Sequence, residues 1–260
     1  MSRIKEAFAG GKAFIPFLTC GDPDLETTEA IVHAMAQAGA DLIELGIPFS
    51  DPTAEGPVIQ AANARALSGG VTADSIFALV RRLRRTLTLP LVFMTYANVV
   101  FSYGTERFLS AAAAAGVDGL ILPDVPFEEK EEFAPLCRKY GLDLISLIAP
   151  TSAGRITQIA RAAEGFVYCV SSLGVTGVRS QITTDIGAMV RLVKAANPDI
   201  PCAVGFGIST PEQAQKMALL SDGAIVGSAI VKLVAQYGRA AVPYIRDYTS
   251  AMKAAVTSSL

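Results

Sequence analysis

The chain has 260 residues, 51% of them hydrophobic and 18% charged, with a net charge of −2. That is ample for one sizeable core, and α/β barrels of about 250 residues commonly form a single domain. The charge balance argues against a nucleic-acid surface: beyond Arg81-Arg82 and Arg84-Arg85 there is no basic cluster, and that group reads as the solvated face of a helix.

Residues 2–9 read as a short leading helix, and residues 13–18 as strand one, with Pro16 an oddity for a central strand. Residues 24–38 form a helix capped by Asp22 or Asp24 and stopped at Gly39. Strand two is the run Asp41-Leu42-Ile43-Glu44-Leu45-Gly46. Helices over 58–67 and 73–86 lead to strand three at 91–95. An alanine-rich helix over 105–115 leads through Gly116 to strand four at 119–122. A helix over 128–140 precedes strand five at 143–148, and one over 152–163 precedes strand six at 166–170. A helix over 184–196 leads to strand seven at 202–204, and one over 211–219 to strand eight at 223–226. Helices over 228–236 and 239–256 close the chain.

A related phrase recurs at the strand entrances: Ala38-Gly39-Ala40-Asp41, Ala115-Gly116-Val117-Asp118 and Tyr140-Gly141-Leu142-Asp143. Each reads as helix stop, then strand start. Continuously apolar strands imply burial on both faces, as in parallel sheets. Eight right-handed βα units close most simply as an α/β fold of the (β/α)8 TIM-barrel class, with extra helices at the N-terminus and at a phosphate site. A doubly wound open sheet is the alternative, but Thr19-Cys20-Gly21-Asp22-Pro23 is no dinucleotide fingerprint. No linker-like shift in composition divides residues 1–260, so one domain is expected.

Cys20, Cys137, Cys169 and Cys202 show no paired or zinc-ligand spacing. The N-terminus lacks an apolar signal core and no apolar run reaches the length of a membrane span, so a cytoplasmic chain with reduced thiols is expected.

Glu44 interrupts an apolar strand near its C-terminal end, where such barrels do chemistry. Apolar surroundings disfavour the charged form of a carboxyl and bring its pKa toward working pH. The plain alternative is a structural acid paired with a distant Arg or capping a helix. The following loop, rich in Pro, Ser, Asp and Gly, brings Asp51 and Glu55.

At the far end, Gly205-Phe206-Gly207 follows strand seven and Gly227-Ser228 follows strand eight at the start of a helix, with Gly174 and Gly177 after strand six. Glycines let backbone N–H groups approach a phosphate, and the helix N-terminus adds positive potential. The only histidine, His33, lies inside a helix. No lysine reads as lying at a strand's C-terminal end, which disfavours Schiff-base chemistry. No His/Asp/Glu cluster suggests a metal. The strand ends instead carry Glu44, Glu55, Tyr96, Asp124, Tyr168 and Thr176. That set supports general acid–base work on a phosphorylated small molecule.

These residues also carry a resemblance. Glu44-Leu45-Gly46-Ile47-Pro48-Phe49-Ser50-Asp51-Pro52 resembles the signature of the tryptophan synthase α subunits. So, in order along the chain, do Pro16–Pro23, Met94-Thr95-Tyr96-Ala97-Asn98, Gly174-Val175-Thr176-Gly177 and Gly205-Phe206-Gly207-Ile208-Ser209. The resemblance implies a lyase that cleaves indole-3-glycerol phosphate to indole and glyceraldehyde 3-phosphate by a retro-aldol step, without metal or Schiff base. It implies Glu44 as the acid–base residue that helps protonate indole C3. Glu55 becomes the second acid, on the indole N–H; members of the family often have Asp there, one methylene shorter. Phe17, Tyr96, Ile121 and Tyr168 match substrate-contacting positions, and Thr176 a mobile lid that closes on the second acid. Before the lid glycine, where some members have Arg, this chain has Ser172-Leu173. Gly177, Gly207, Gly227 and Ser228 match the phosphate binders. The resemblance further implies an α2β2 heterotetramer in which indole is channelled to a β subunit that holds pyridoxal phosphate, this chain needing no cofactor of its own. Asp51, Pro52 and Asn98 are the implied contacts with that partner. A phosphosugar isomerase or epimerase, or a silent subunit that only activates a partner, remains the alternative reading of the residues.

Overall fold

The computed structural model describes residues 3–152, 154–171, 185–205 and 207–258. Its strand segments are β1 (Ala13–Thr19), β2 (Ile43–Gly46), β3 (Leu91–Met94), β4 (Gly119–Ile121), β5 (Asp143–Leu144), β6 (Ser146–Ile148), β7 (Val167–Val170), β8 (Cys202–Gly205) and β9 (Gly223–Val226). They form one parallel sheet in the order β5-β4-β3-β2-β1-β9-β8-β7-β6. The two outer members of that order are consecutive in the chain, with only Ile145 between them. The expected fifth strand is thus one extended stretch broken at Ile145. Its first half pairs with β4 and its second with β7, so the sheet curls into a nearly closed barrel.

Side chains alternate across each strand, which gives the barrel an inner and an outer face. Ile15, Leu42, Val92, Ile121, Ile145, Tyr168, Ala203 and Ile225 pack together inside. Phe14, Leu18, Ile43, Leu45, Phe93, Leu120 and Val204 face the helices. The leading helix is shorter than expected, Arg3–Glu6, because a turn and Gly10-Gly11 follow it. Its Ile4 is fully buried in the inner cluster, and Phe8 packs on Phe166 at 5.7 Å between ring centroids. The pair plugs the barrel where the strands begin.

Other differences have local causes. The helix expected over 128–140 is a 3₁₀ turn (Phe127–Glu132) followed by an α-helix (Ala134–Tyr140), because Pro135 fits only in a first helical turn. The final helix likewise starts late, Val242–Thr257, with Pro243 in its first turn after the 3₁₀ segment Gly238–Ala240. The helix expected over 152–163 contracts to Ile156–Arg161. A helix over Ala97–Tyr103 follows β3, where the sequence reading had none.

The recurring strand-entrance phrase has a mechanical meaning. Gly39, Gly116 and Gly141 all take positive φ (97°, 99° and 72°), which ends each helix with a reversal that side chains resist. The Asp that follows ties the barrel floor. Asp41 accepts from the Phe14 N–H of the neighbouring strand at 2.7 Å and from Lys253 Nζ. Asp118 accepts from the Leu91 N–H at 2.8 Å, and pairs with Arg84 and Arg3. Asp222, before β9, repeats the device with the Cys202 N–H and Lys194. Each carboxylate joins two adjacent strand entrances to a cation from the helical layer.

All the cysteines are free and buried. No helix among the described residues is long and apolar enough to cross a membrane.

Removing Asp118 leaves the Leu91 N–H and Nη2 of the mostly buried Arg84 without their acceptor and the guanidinium, though still bonded to backbone carbonyls, without its counter-charge. Asp118→Ala should therefore lower stability by about 3 kcal/mol, as breaking a buried pair does. Asp247→Ala, which removes an exposed pair with Arg246, should cost at most about 0.5 kcal/mol. Urea denaturation of both variants at neutral pH checks the contrast; equal midpoints would remove the floor latch from the account.

Candidate active site

The site stands at the C-terminal mouth of the barrel, opposite that floor. β2 carries Glu44 on its inward face, in register with Phe17 of β1 and Val92 of β3. The side chain is fully buried, and neither carboxylate oxygen has a hydrogen-bond partner among the described residues. With nothing to stabilise its charge, burial pushes its pKa from the ordinary 4.5 up to about 8. Among the described residues no Arg pairs with it and it caps no helix, which counts against a structural role for this acid.

Glu55 comes from the loop after β2 and is half-buried in the same pocket. Burial raises its pKa to about 7, and the Asn63 side chain opposes the rise by donating from Nδ2 to Oε2 at 2.8 Å. The pocket is walled by Phe17, Ile59, Met94, Ile208 and Ile225. Tyr168 of β7 lines it too, and burial together with the charge of Glu44 pushes its hydroxyl well above the usual range.

Glycines make this arrangement possible. A Cβ on Gly46 would stand 2.6 Å from the Phe17 ring, and one on Gly205 would overlap the Tyr168 ring and hydroxyl. Both aromatic side chains lie where a larger residue in the neighbouring strand would exclude them.

One end of the pocket is formed by Gly207, Gly227 and Ser228. Gly207 has φ of 82°, a conformation that glycine takes without strain. Gly227 caps the helix Ser228–Tyr237 with no side-chain hydrogen bond of its own. The first N–H groups of a helix have no acceptor within it, and here the helix begins at the pocket wall, at Gly227 and Ser228. This end suits a phosphate.

The expected residues are not all equivalent in the structure. Phe17, Glu44, Glu55, Tyr168, Gly207, Gly227 and Ser228 come together in one pocket. Ile121 is buried inside the barrel and is not part of the pocket lining. Tyr96 is set back as well: its hydroxyl accepts from the Ala54 N–H at 3.1 Å, and its ring packs on Phe49 at 5.4 Å. It braces the loop that carries Glu55. Asp51 and Asn98 are exposed and Pro52 is half-buried, all around the mouth. Thr176 and Gly177, and Gly174 with them, lie outside the described residues.

A larger cavity, about 440 Å³, is lined by residues 122–127 and the start of helix Ile156–Arg161. It contains Asp124, but that carboxylate accepts from the Ala97 N–H at the start of helix Ala97–Tyr103. The two acids with raised pKa values share the other pocket.

Sequence reasoning missed Asn63, Ile59, Met94 and Ile225. Asn63 had a signal: with Ile59, Ala62 and Ala66 it falls on the buried stripe of helix Pro57–Ser68, a polar residue where an apolar one belongs. His33 is half-buried in helix Leu25–Gln37, away from the site. No group of His, Cys, Asp or Glu among the described residues is disposed to hold a metal ion.

Comparison with known proteins points the same way. The sequence profile of the tryptophan synthase alpha chain family matches residues 4–257. The tryptophan synthase alpha chain of Lacticaseibacillus casei is 48% identical over 98% of this chain and 96% of its own length. That of Lactiplantibacillus plantarum is 49% identical over 98% and 97%. Among solved structures, the tryptophan synthase alpha chain of Legionella pneumophila superposes with a TM-score of 0.89 at 36% identity, covering 99% of this chain and 98% of that one. A chain of Mycobacterium tuberculosis tryptophan synthase gives a TM-score of 0.89 at 37% identity, covering 98% of each chain.

The burial of Glu44 has a measurable consequence for stability. Its folded pKa lies above the unfolded one, so the native state keeps a proton that the unfolded chain releases above about pH 4.5. Stability from this group is complete below that pH and is lost as the pH rises toward 8. Glu44→Gln removes the dependence. The stability of the variant relative to the parent should therefore grow by a few kcal/mol between pH 5 and 8. A difference that stays flat in urea titrations across that range would mean that the carboxyl is not held neutral.

Proposed function

The chain belongs to the tryptophan synthase alpha chain family, and on that premise we propose how its site cleaves indole-3-glycerol phosphate to indole and glyceraldehyde 3-phosphate in tryptophan biosynthesis. The phosphate is held by backbone N–H groups at Gly207 and Gly227 and by Ser228, with Gly177 completing the cradle. The indole ring lies among Phe17, Ile59 and Met94, and Ile121 and Tyr96 support those walls from behind.

Two acids in different surroundings divide the work. Glu44 is neutral at pH 7 and can deliver a proton to indole C3. Glu55, nearer to ionisation, accepts from the indole N–H and balances the positive charge that C3 protonation places on the ring. The bond from C3 to the glycerol carbon then breaks and its electron pair returns to the indole. The hydroxyl on that carbon gives its proton to the Glu44 carboxylate and becomes the aldehyde, which leaves Glu44 protonated again. The observation that carries this reading is the fully buried, unpartnered carboxyl of Glu44 in one pocket with Glu55 and an open helix N-terminus.

Thr176 serves in a lid that closes over Glu55 and excludes water. Asp51, Pro52 and Asn98 meet a β subunit in an α2β2 assembly, which receives the indole and carries the pyridoxal phosphate. Phe101, 49% exposed and packed on Phe133, adds an aromatic anchor of the kind interfaces use. Residues 1–260 act as one barrel domain in the cell cytoplasm.

The test is indole release from indole-3-glycerol phosphate by the purified chain, with and without a tryptophan synthase β subunit. Slow release that rises with β, and falls by about 10²–10⁴-fold in Glu44→Gln, is the expected outcome; a fully active Gln variant would sink the mechanism. The pH profile of kcat/KM should be a narrow bell. Activity falls below about pH 7 as Glu55 gains a proton and above about pH 8 as Glu44 loses one. A flat profile from pH 6 to 9 would remove both assignments.

A further inference from the structure

Glu55 reaches the pocket from a loop, on a side chain with three rotatable bonds, yet its task requires one oxygen at a fixed place. The loop backbone is pinned on two sides: Ala54 N–H to the Tyr96 hydroxyl at 3.1 Å, and Gln60 Nε2 to the Glu55 carbonyl at 2.7 Å. The carboxylate is held from the helix that follows. Asn63 lies in the second turn of helix Pro57–Ser68 and is only 5% exposed. Its neighbours on the stripe, Ile59 and Ala62, pack against Phe17 and Val231, so the amide projects from a fixed base. Among the described residues it is the one side chain that donates to Glu55, and it engages Oε2 alone. No Lys or Arg among the described residues lines the pocket.

We propose that Asn63 is a positioning residue for the reaction: its amide locks one Glu55 oxygen and turns the other toward the substrate N–H. This rests on the role given to Glu55 above. A donor that favours the charged form lowers a carboxyl pKa, and burial alone would carry Glu55 higher than about 7. The other titratable groups facing Glu55 are Glu44 from β2, Tyr96 after β3 and Tyr168 from β7. Each is neutral at pH 7, and none supplies a positive charge that could replace the amide. A Glu on this loop therefore depends on the helix for its protonation state as well as for its aim.

The experiment compares kcat/KM pH profiles of the parent, Asn63→Ala, Asn63→Asp and Asn63→Ser, measured as indole release in complex with the β subunit. Asn63→Ala should move the acid limb up by roughly one pH unit and leave the alkaline limb, set by Glu44, in place. Asn63→Asp conserves the volume but replaces the donor with a second acid, and should move the limb further. Asn63→Ser retains a hydroxyl donor and should fall between the parent and Asn63→Ala. In a Glu55→Ala background, Asn63→Ala should have no further effect, because two residues acting as one unit are not additive. An acid limb unmoved in folded Asn63→Asp, or losses that multiply independently of Glu55, would overturn the proposal. If Glu55→Ala itself left the rate unchanged, the role of Glu55 would fail first, and a shifted limb in the Asn63 variants would then have another origin.

Discussion

A carboxyl group inside the barrel with no partner among the described residues is the constraint around which the structure is arranged. Glu44 costs stability at neutral pH, because the protein must hold it neutral against a solvent that favours its ionised form. Every neighbour could have relieved that cost. A lysine in the inner row, an arginine from a helix or a hydroxyl within reach would each have done so. Instead the inner row around it is Phe17, Val92 and Ile225, with Tyr168 adding a dipole but no positive charge. An acid held in this way still carries its proton at neutral pH, which the proposed protonation of indole C3 requires.

The barrel separates the parts that resist change from the parts that do the chemistry. At the strand entrances, Asp41, Asp118 and Asp222 bind adjacent strands to one another and to cations of the helical layer. Ile4 and Phe8 close the floor. At the strand exits, the residues that line the pocket come from β1, β2, β3, β7, β9, helix Pro57–Ser68 and the segments after β2, β8 and β9. A rigid floor lets the mouth carry an uncompensated acid and an open helix terminus without loss of the fold.

Within the mouth, the two acids differ by how they are held. Glu44 is fixed by strand pairing and can have only one surrounding. Glu55 is on a loop, and its surrounding is assembled from Asn63, Gln60 and the Tyr96 hydroxyl. The first is therefore set by burial alone and the second by burial opposed by a hydrogen bond. That difference separates their proton affinities.

Much of this was legible in the sequence, because it is written in short-range patterns. Apolar runs of strand length, glycine stops at Gly39, Gly116 and Gly141, and an acid inside an apolar strand gave the eight βα units and the place of Glu44. The glycines at 207 and 227 marked one end of the pocket for the same reason, since a close backbone approach needs a residue without Cβ. What the sequence could not carry were contacts made across long stretches of chain. The Ala54–Tyr96 bond spans 42 residues and the Asp41–Lys253 pair 212. No local periodicity records which residues such a pair will join. The sequence therefore showed neither the bond from the Ala54 N–H to the Tyr96 hydroxyl nor the one from the Asn63 amide to Glu55, and strand five read as continuous until closure of the barrel divided it at Ile145. Local pattern determined which elements form and where the reactive groups fall on them; only packing in three dimensions decided which of those groups meet.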